Sequence, residues 1–393
     1  MAITGLRLAK EAFTEEEYQN STSDQVLQRM LSTKSYISTT SSFAEKNHNA
    51  ATKDFHLQRF EELGRGQCGT VYGLLGTPTI AKLPNAPNKA EELRTDYLMH
   101  NRIENATQEY KAMQERDPSL GISARVPKLG SWNSEESKFW ASSGLRFDPR
   151  VEIRIAALVS ERVLPAPLPV REALVDVLLP TVISRRKQDF LARPENKNCL
   201  IRMYLGRRHT TKTQDRIQNL KLQNFPLHVN EMEQLGLDTA HFATLMANTL
   251  AIVHWGAMVD GNDVEFILGS SPAKVTKVSP KEAEAMTSKQ LCEATNFEFN
   301  NRSMEMWLID FNQCSPIKED QAGIDKLVKA FIFNDPYFPR PNQSHSRDQE
   351  LWGIFREAYL NVSHKFTERA GPDTFIARVE MEGKKQKSID NLF

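Results

Sequence analysis

The sequence predicts an α+β protein of two lobes, a small β-rich amino-terminal lobe and a mainly helical carboxy-terminal lobe, preceded by a helical arm. Three observations carry that reading. A run of alternating residues holds Gly64, Gly66 and Gly69 at G-x-G-x-x-G spacing, then Val71, with Lys82 on the next segment. Residues 88–113 and 239–255 repeat apolar side chains at helical intervals. Two acidic loops, Asp260-Gly261-Asn262-Asp263-Val264-Glu265 and Asp310-Phe311-Asn312, each adjoin a short apolar run. The 393 residues exceed what one small core requires. They divide into an arm at 1–53, a first lobe at 54–204, a second lobe at 205–371 and a tail at 372–393.

The elements follow in order. Residues 1–53 are rich in Ser, Thr, Asn and Glu with one amphipathic patch, Val26, Leu27, Met30 and Leu31, which predicts a mobile, partly helical arm. Residues 54–83 read as strands around the glycine loop, where glycine lets backbone approach a phosphate and Lys82 supplies the balancing charge. Residues 88–113 form the helix expected to give Lys82 a carboxylate partner, Glu104 first and Glu92 as the alternative. Strands are expected at 125–129 and 151–164. Pro165, Pro167, Pro169 and Pro180 bracket a short helix over 170–179. Residues 200–206 read as a strand and hinge between lobes, and 239–255 as a buried helix ending at His254.

This order is that of a protein kinase, and a protein-kinase-like two-lobed fold is the expectation. Asp260 then stands where kinases place a general base, Glu265 five residues later where they place a metal-binding Asn, and Asp310-Phe311-Asn312 where Asp-Phe-Gly would be. The departures matter as much. No His-Arg-Asp precedes Asp260, Glu265 and Asn312 replace Asn and Gly, and no Ala-Pro-Glu follows Asp310. Four acids, Asp260, Asp263, Glu265 and Asp310, are expected to converge on one cleft, and like charges at close range call for a cation. Mg²⁺ with ATP would serve, as would a guanidinium, whose planar fork suits carboxylates.

Net charge is zero, yet eleven Lys and Arg against three acids lie within residues 185–221. A solvated face is the plain explanation; a polyanion site is the sharper one. Its basic residues include Arg185, Arg186, Lys187, Arg202, Arg207, Arg208, Lys212, Arg216 and Lys221, with few aromatics between them, which favours phosphate contact over base stacking. The four cysteines, Cys68, Cys199, Cys292 and Cys314, lack ligand spacing, so reduced thiols and no metal are expected. No apolar run nears the ~20 residues that span a bilayer, and a cytoplasmic protein without membrane or DNA partners is expected.

The set Tyr204-Leu205-Gly206-Arg207-Arg208, Asn224-Phe225-Pro226-Leu227-His228, His254-Trp255, Asp263-Val264-Glu265-Phe266-Ile267-Leu268-Gly269 and Asp310-Phe311-Asn312-Gln313-Cys314 resembles a fungal group with a kinase-like domain, over about residues 55–370. Some members are arginine-containing cyclodipeptide synthases. The resemblance implies an aminoacyl transferase that takes arginyl-tRNA and a second aminoacyl-tRNA, without cofactor, and closes a diketopiperazine in secondary metabolism. On that reading Asp260, Glu265, Asp310, Lys82 and His254 are candidates for the chemistry. Asp263, Glu104, Gly64, Gly66 and Gly69 are candidates for substrate contact, and the basic segment for the tRNA backbone. The alternatives are a kinase using ATP and Mg²⁺, with Lys82 on phosphates, or a pseudokinase-like binding module. Cys68 and Cys314 are weak candidates for a nucleophile, since a reactive thiol needs an electropositive site.

Overall fold

The computed structural model describes residues 10–38, 42–52, 57–209, 219–272, 280–287 and 301–390. It shows a mixed α+β fold with two sheets. The larger sheet begins in the arm, with β1 (Glu11–Phe13) and β2 (Ser35–Ser38). The smaller sheet contains β3 (Phe60–Arg65), β4 (Gly69–Leu74), β5 (Thr79–Pro84), β6 (Leu129–Ser134) and β7 (Ala156–Glu161), in the antiparallel order β3-β4-β5-β7-β6. The larger one is completed by β8 (Ile201–Tyr204), β9 (Phe225–His228), β10 (Glu265–Pro272) and β11 (Asn301–Ile309), in the order β1-β2-β11-β10-β8-β9.

The arm departs from expectation. Helix Ser23–Leu31 is opened by a capping box in which Thr22 accepts from the Gln25 amide and Gln25 reaches back to the Thr22 amide. Its Val26, Leu27, Met30 and Leu31 are all buried in the main core, and it packs on helix Leu168–Leu178. Each fully buried side chain of this kind is worth roughly 1.5–3 kcal/mol, so residues 10–38 are an integral layer. The amphipathic patch was the readable sign of that; the polar composition around it pointed the other way. Residues 200–206 hold the strand expected there. Ile201–Tyr204 is an interior strand, hydrogen-bonded to β10 on one side and β9 on the other.

The 27-residue helix Ala90–Arg116 lies against the smaller sheet. It starts after Pro87, whose fixed φ suits a first helical turn, and stops at Asp117, just before Pro118. The helical body is built on helix Thr239–Ala251, which runs into a π-helical turn over Ile252–Gly256, with Gln321–Phe333, Ser346–Ser363 and Gly371–Asp390 around it. Phe331, Phe338, Trp352, Phe355, Tyr359 and Phe375 interlock there as stacked and edge-on rings. Aromatic pairs of this geometry add about 0.5–1.5 kcal/mol each beyond their area.

Two features join the sheets. Backbone of Arg125 bonds both Met306 and Leu308 of β11, at 2.9 and 2.8 Å, and its guanidinium covers the Trp307 ring at 4.0 Å. Leu164 exchanges backbone bonds with Ser270 of β10. The β10–β11 register pairs Glu265 with Ile309, which sets Glu265 and the next residue, Asp310, side by side at one end of the hairpin. Among the described residues no helix is long and apolar enough to cross a membrane.

Candidate functional site

The glycine loop, β5, the long helix and the Glu265–Asp310 end of the hairpin enclose a cleft of about 550 Å³. Lys82 lies on β5 opposite Val71. Its Nζ donates to Asp96 Oδ2 at 2.7 Å and Asp310 Oδ1 at 3.1 Å. Burial would by itself lower the ammonium pKa, but the carboxylates of Asp96 and Asp310 outweigh it and hold Lys82 well above its usual value. Asp96 Oδ1 also accepts the Phe311 amide at 3.3 Å, so one helix carboxylate fixes both the lysine and the Asp310 loop. Asp310 sits at φ 66°, a left-handed conformation that non-glycine residues seldom adopt. Such backbone is characteristic of sites where geometry is held by its surroundings.

The helix acid is therefore Asp96, not Glu104 or Glu92. Glu104 accepts the Leu129 amide at 2.7 Å, and Glu92 pairs with Lys89 one turn earlier. Sequence reasoning missed Asp96, although a signal was present. Leu93, Asp96, His100, Ile103, Thr107 and Tyr110 form one buried stripe, and an acid on an apolar stripe is rare unless paired.

The three loop glycines differ in what they do. A Cβ on Gly69 would stand 2.6 Å from the Leu83 carbonyl oxygen, so the pairing of β4 with β5 requires glycine there. On Gly66 it would meet nothing nearer than 3.7 Å, and on Gly64 only the Gln223 side chain at 3.1 Å. The Gly66 amide is spent on the Gly69 carbonyl at 2.9 Å, and Asn85 Nδ2 holds the Gly66 carbonyl at 2.7 Å. The hairpin is thus fastened from beneath by Asn85.

On the opposite wall, Arg202 of β8 donates Nη2 to Glu265 Oε1. Burial raises the Glu265 pKa, Arg202 lowers it, and Asp310 raises it further; the result lies above the usual carboxylate value. Asp263, at φ 61°, is raised by burial and then by the charge of Asp310, and its side chain accepts from Gln313 Nε2. Asp260 does not join them. Its carboxylate accepts the Ser315 amide at 2.8 Å, the Ser315 hydroxyl at 2.5 Å and the Asn262 amide at 3.1 Å, and it is 6% exposed. Asp260 therefore tethers the two loops together. The convergence is of three acids with Asp96, four carboxylates offset in part by two internal cations, Lys82 and Arg202.

His254 does not line the cleft. It is 1% exposed, its Nδ1 meets the Tyr359 hydroxyl at 2.8 Å, and that hydroxyl also accepts from Trp255 at 2.7 Å. Burial drives its pKa down to about 3, with the Asp260 backbone offsetting only a part, so it is a neutral core imidazole. Cys68 and Cys314 are buried thiols whose pKa values burial pushes up, the reverse of what a nucleophile requires. Cys314 donates to the Asn262 carbonyl at 3.3 Å.

Three arginines of the basic segment are committed to acids from distant parts of the chain, while most of its described cations stay exposed. Arg202 faces the cleft, Arg207 pairs with Asp335, and Arg208 pairs with Glu233 at 2.8 Å and Asp348 at 2.6 Å. Arg186 pairs with Asp189 and Lys187 with Asp176, both at the surface. Arg185 and Lys221 are exposed. Lys212 and Arg216 lie outside the described residues. The sequence count saw the cations and not the partners of Arg202, Arg207 and Arg208, which come from distant stretches of chain.

A family described as DUF3669, zinc finger protein, matches residues 306–371, a segment running from the end of β11 through Asp310 to helix Ser346–Ser363. Within it Cys314 is bound to Asn262, and His364 pairs with Asp373 at 3.2 Å. Among the described residues the segment assembles no set of three metal-ligating side chains. No curated protein matches the chain.

Proposed function

We propose that the chain is a protein-kinase-like scaffold turned to aminoacyl transfer, a tRNA-dependent cyclodipeptide synthase that joins arginine from arginyl-tRNA to a second aminoacyl group. Several features support the kinase-like part. A glycine hairpin, a lysine strand, a helix whose acid pairs with that lysine, and two more strands follow in kinase order, and Asp310 sits against the lysine where Asp-Phe-Gly would. The observation that carries the function is the occupancy of the two groups phosphoryl transfer would use. Asp260 is spent on Ser315 and Asn262, and Glu265 is held by Arg202. Asp263 and Asp310 line the cleft as well, Asp310 with one oxygen on Lys82 and Asp263 with one on Gln313, which leaves each a second oxygen for a ligand. A guanidinium is the cation their paired charge accommodates best.

The chemistry balances without a cofactor. Each of two α-amines attacks an aminoacyl ester; two amide bonds form, two ester bonds break, and each ribose oxygen leaves with the proton the amine gives up. Orientation of two activated esters supplies much of the rate. Lys82 keeps Asp96 and Asp310 in place, and Asp263 with Asp310 receives the arginine side chain. Expression in a bacterial host followed by mass spectrometry of the medium should show an arginine-containing diketopiperazine, lost in Asp263→Asn. Absence of that product from cells holding folded protein would defeat the proposal.

For the tRNA backbone, Arg185, Arg186, Lys187 and Lys221 offer charge at the surface, whereas Arg208 is held by Glu233 and Asp348. Reversing these four charges should weaken arginyl-tRNA binding at least tenfold and flatten its salt dependence; unchanged binding would place the tRNA elsewhere. A phosphotransferase is the second reading, favoured by the Lys82–Asp96 pair beneath the glycine hairpin. It requires ATP and Mg²⁺, and stabilisation by Mg-ATP would support it.

A further inference from the structure

We infer that His209, His228 and Glu231 form a divalent transition-metal site, of the kind that suits Zn²⁺, at the junction of β8, β9 and helix Val229–Gln234. It lies apart from the cleft, and it rests on different residues from those of the aminoacyl-transfer reading. His228 and Glu231 are partly buried, His209 is more open to solvent, and the candidate ligand atoms of the three all lie within 4.8 Å of one another. His209 Nδ1 stands 2.9 Å from Glu231 Oε1, and His228 Nδ1 stands 3.2 Å from Glu231 Oε2. Bonds of ~2.0–2.1 Å in a tetrahedral shell place neighbouring ligand atoms about 3.3 Å apart. The two histidine–carboxylate separations are already close to that edge length and the remaining one is within 4.8 Å, so a cation can enter by side-chain movement alone.

The site is held from outside. Glu231 Oε2 also accepts the His228 amide at 2.8 Å, closing a capping box at the start of its helix. Asn230 grips the backbone of His209 on both sides, accepting its amide at 2.7 Å and donating to its carbonyl at 3.2 Å. The two imidazoles stack at 4.9 Å and 23°, and one carboxylate spans their Nδ1 atoms. Two neutral imidazoles and one carboxylate are a borderline-soft donor set that favours Zn²⁺, Co²⁺ or Ni²⁺ over Mg²⁺ or Ca²⁺. Outer contacts that fix ligand orientation are the usual accompaniment of such sites. Bound metal would replace the protons now shared with Glu231 and leave a coordination position for water. It would also pin the end of the β8 loop to the helix after β9.

The test uses the whole chain, stripped with a chelator. Titration with Co²⁺ should give the intense visible absorption of a tetrahedral ion at one equivalent, displaced by Zn²⁺. His209→Ala should weaken binding at least tenfold, and His364→Ala, at a histidine elsewhere on the surface, should leave it unchanged. In the unsubstituted protein Zn²⁺ should protect His209 and His228 from diethyl pyrocarbonate while His364 stays reactive, a readout that depends on no variant folding. Binding well below one equivalent, equal loss in both variants, or modification of His209 and His228 unaffected by Zn²⁺ would overturn the inference.

Discussion

Lys82→Met is expected to lower the unfolding free energy by roughly 3–5 kcal/mol, the range for removing one partner of a buried ion pair. The reason is geometric. Asp96 is 4% exposed and sits on the apolar stripe of a helix, and the ammonium at 2.7 Å is its ion-pair partner among the described residues, so its removal strands a buried carboxylate. The Asp310 loop would loosen as well, since Lys82 and Asp96 hold it together. Denaturant unfolding of Lys82→Met and of the double variant Lys82→Met, Asp96→Leu measures the effect. The double variant should regain part of the loss, because no carboxylate is then stranded. A single variant within 1 kcal/mol of the parent would show that the pair is not the keystone described.

His254 should make the protein acid-sensitive. Its folded pKa is depressed from 6.5 to about 3, so between those values the unfolded chain binds a proton that the folded one refuses. Stability contributed by the neutral imidazole is therefore complete above about pH 6.5 and declines as pH falls, by roughly 1.4 kcal/mol per unit and roughly 4–5 kcal/mol by pH 3. Asp263 and Glu265, raised by burial, act in the opposite direction, losing stability as pH rises through their folded values. Unfolding free energies of the parent and His254→Gln between pH 7 and 4 separate these terms. The variant should be less stable at pH 7 and show a shallower decline; parallel curves would refute the assignment.

What the sequence disclosed was local. The glycine hairpin, the lysine strand, the long helix and the Asp310 loop are written in contiguous spacing and lie where that spacing implies. What it concealed was pairing across distance. Arg208 meets Asp348 140 residues away, Arg207 meets Asp335 128 away, and Arg202 meets Glu265 63 away, so three cations of a cluster read as free charge already have carboxylate partners. Asp260 followed the same rule, because Ser315 lies 55 residues on. Asp96 was recoverable from its place on the buried stripe. The metal-ligating trio was half recoverable, since His228 and Glu231 are one helical turn apart, whereas His209 reaches them only through the fold.

The most direct measurement supplies purified protein with radiolabelled arginyl-tRNA and a pool of other aminoacyl-tRNAs, without ATP. Label should pass into an arginine-containing diketopiperazine, stop on ribonuclease treatment, and fall at least a hundredfold in Asp263→Asn and Asp310→Asn. Label that remains on tRNA while the same preparation consumes ATP in the presence of Mg²⁺ would contradict aminoacyl transfer and assign the cleft to phosphoryl transfer.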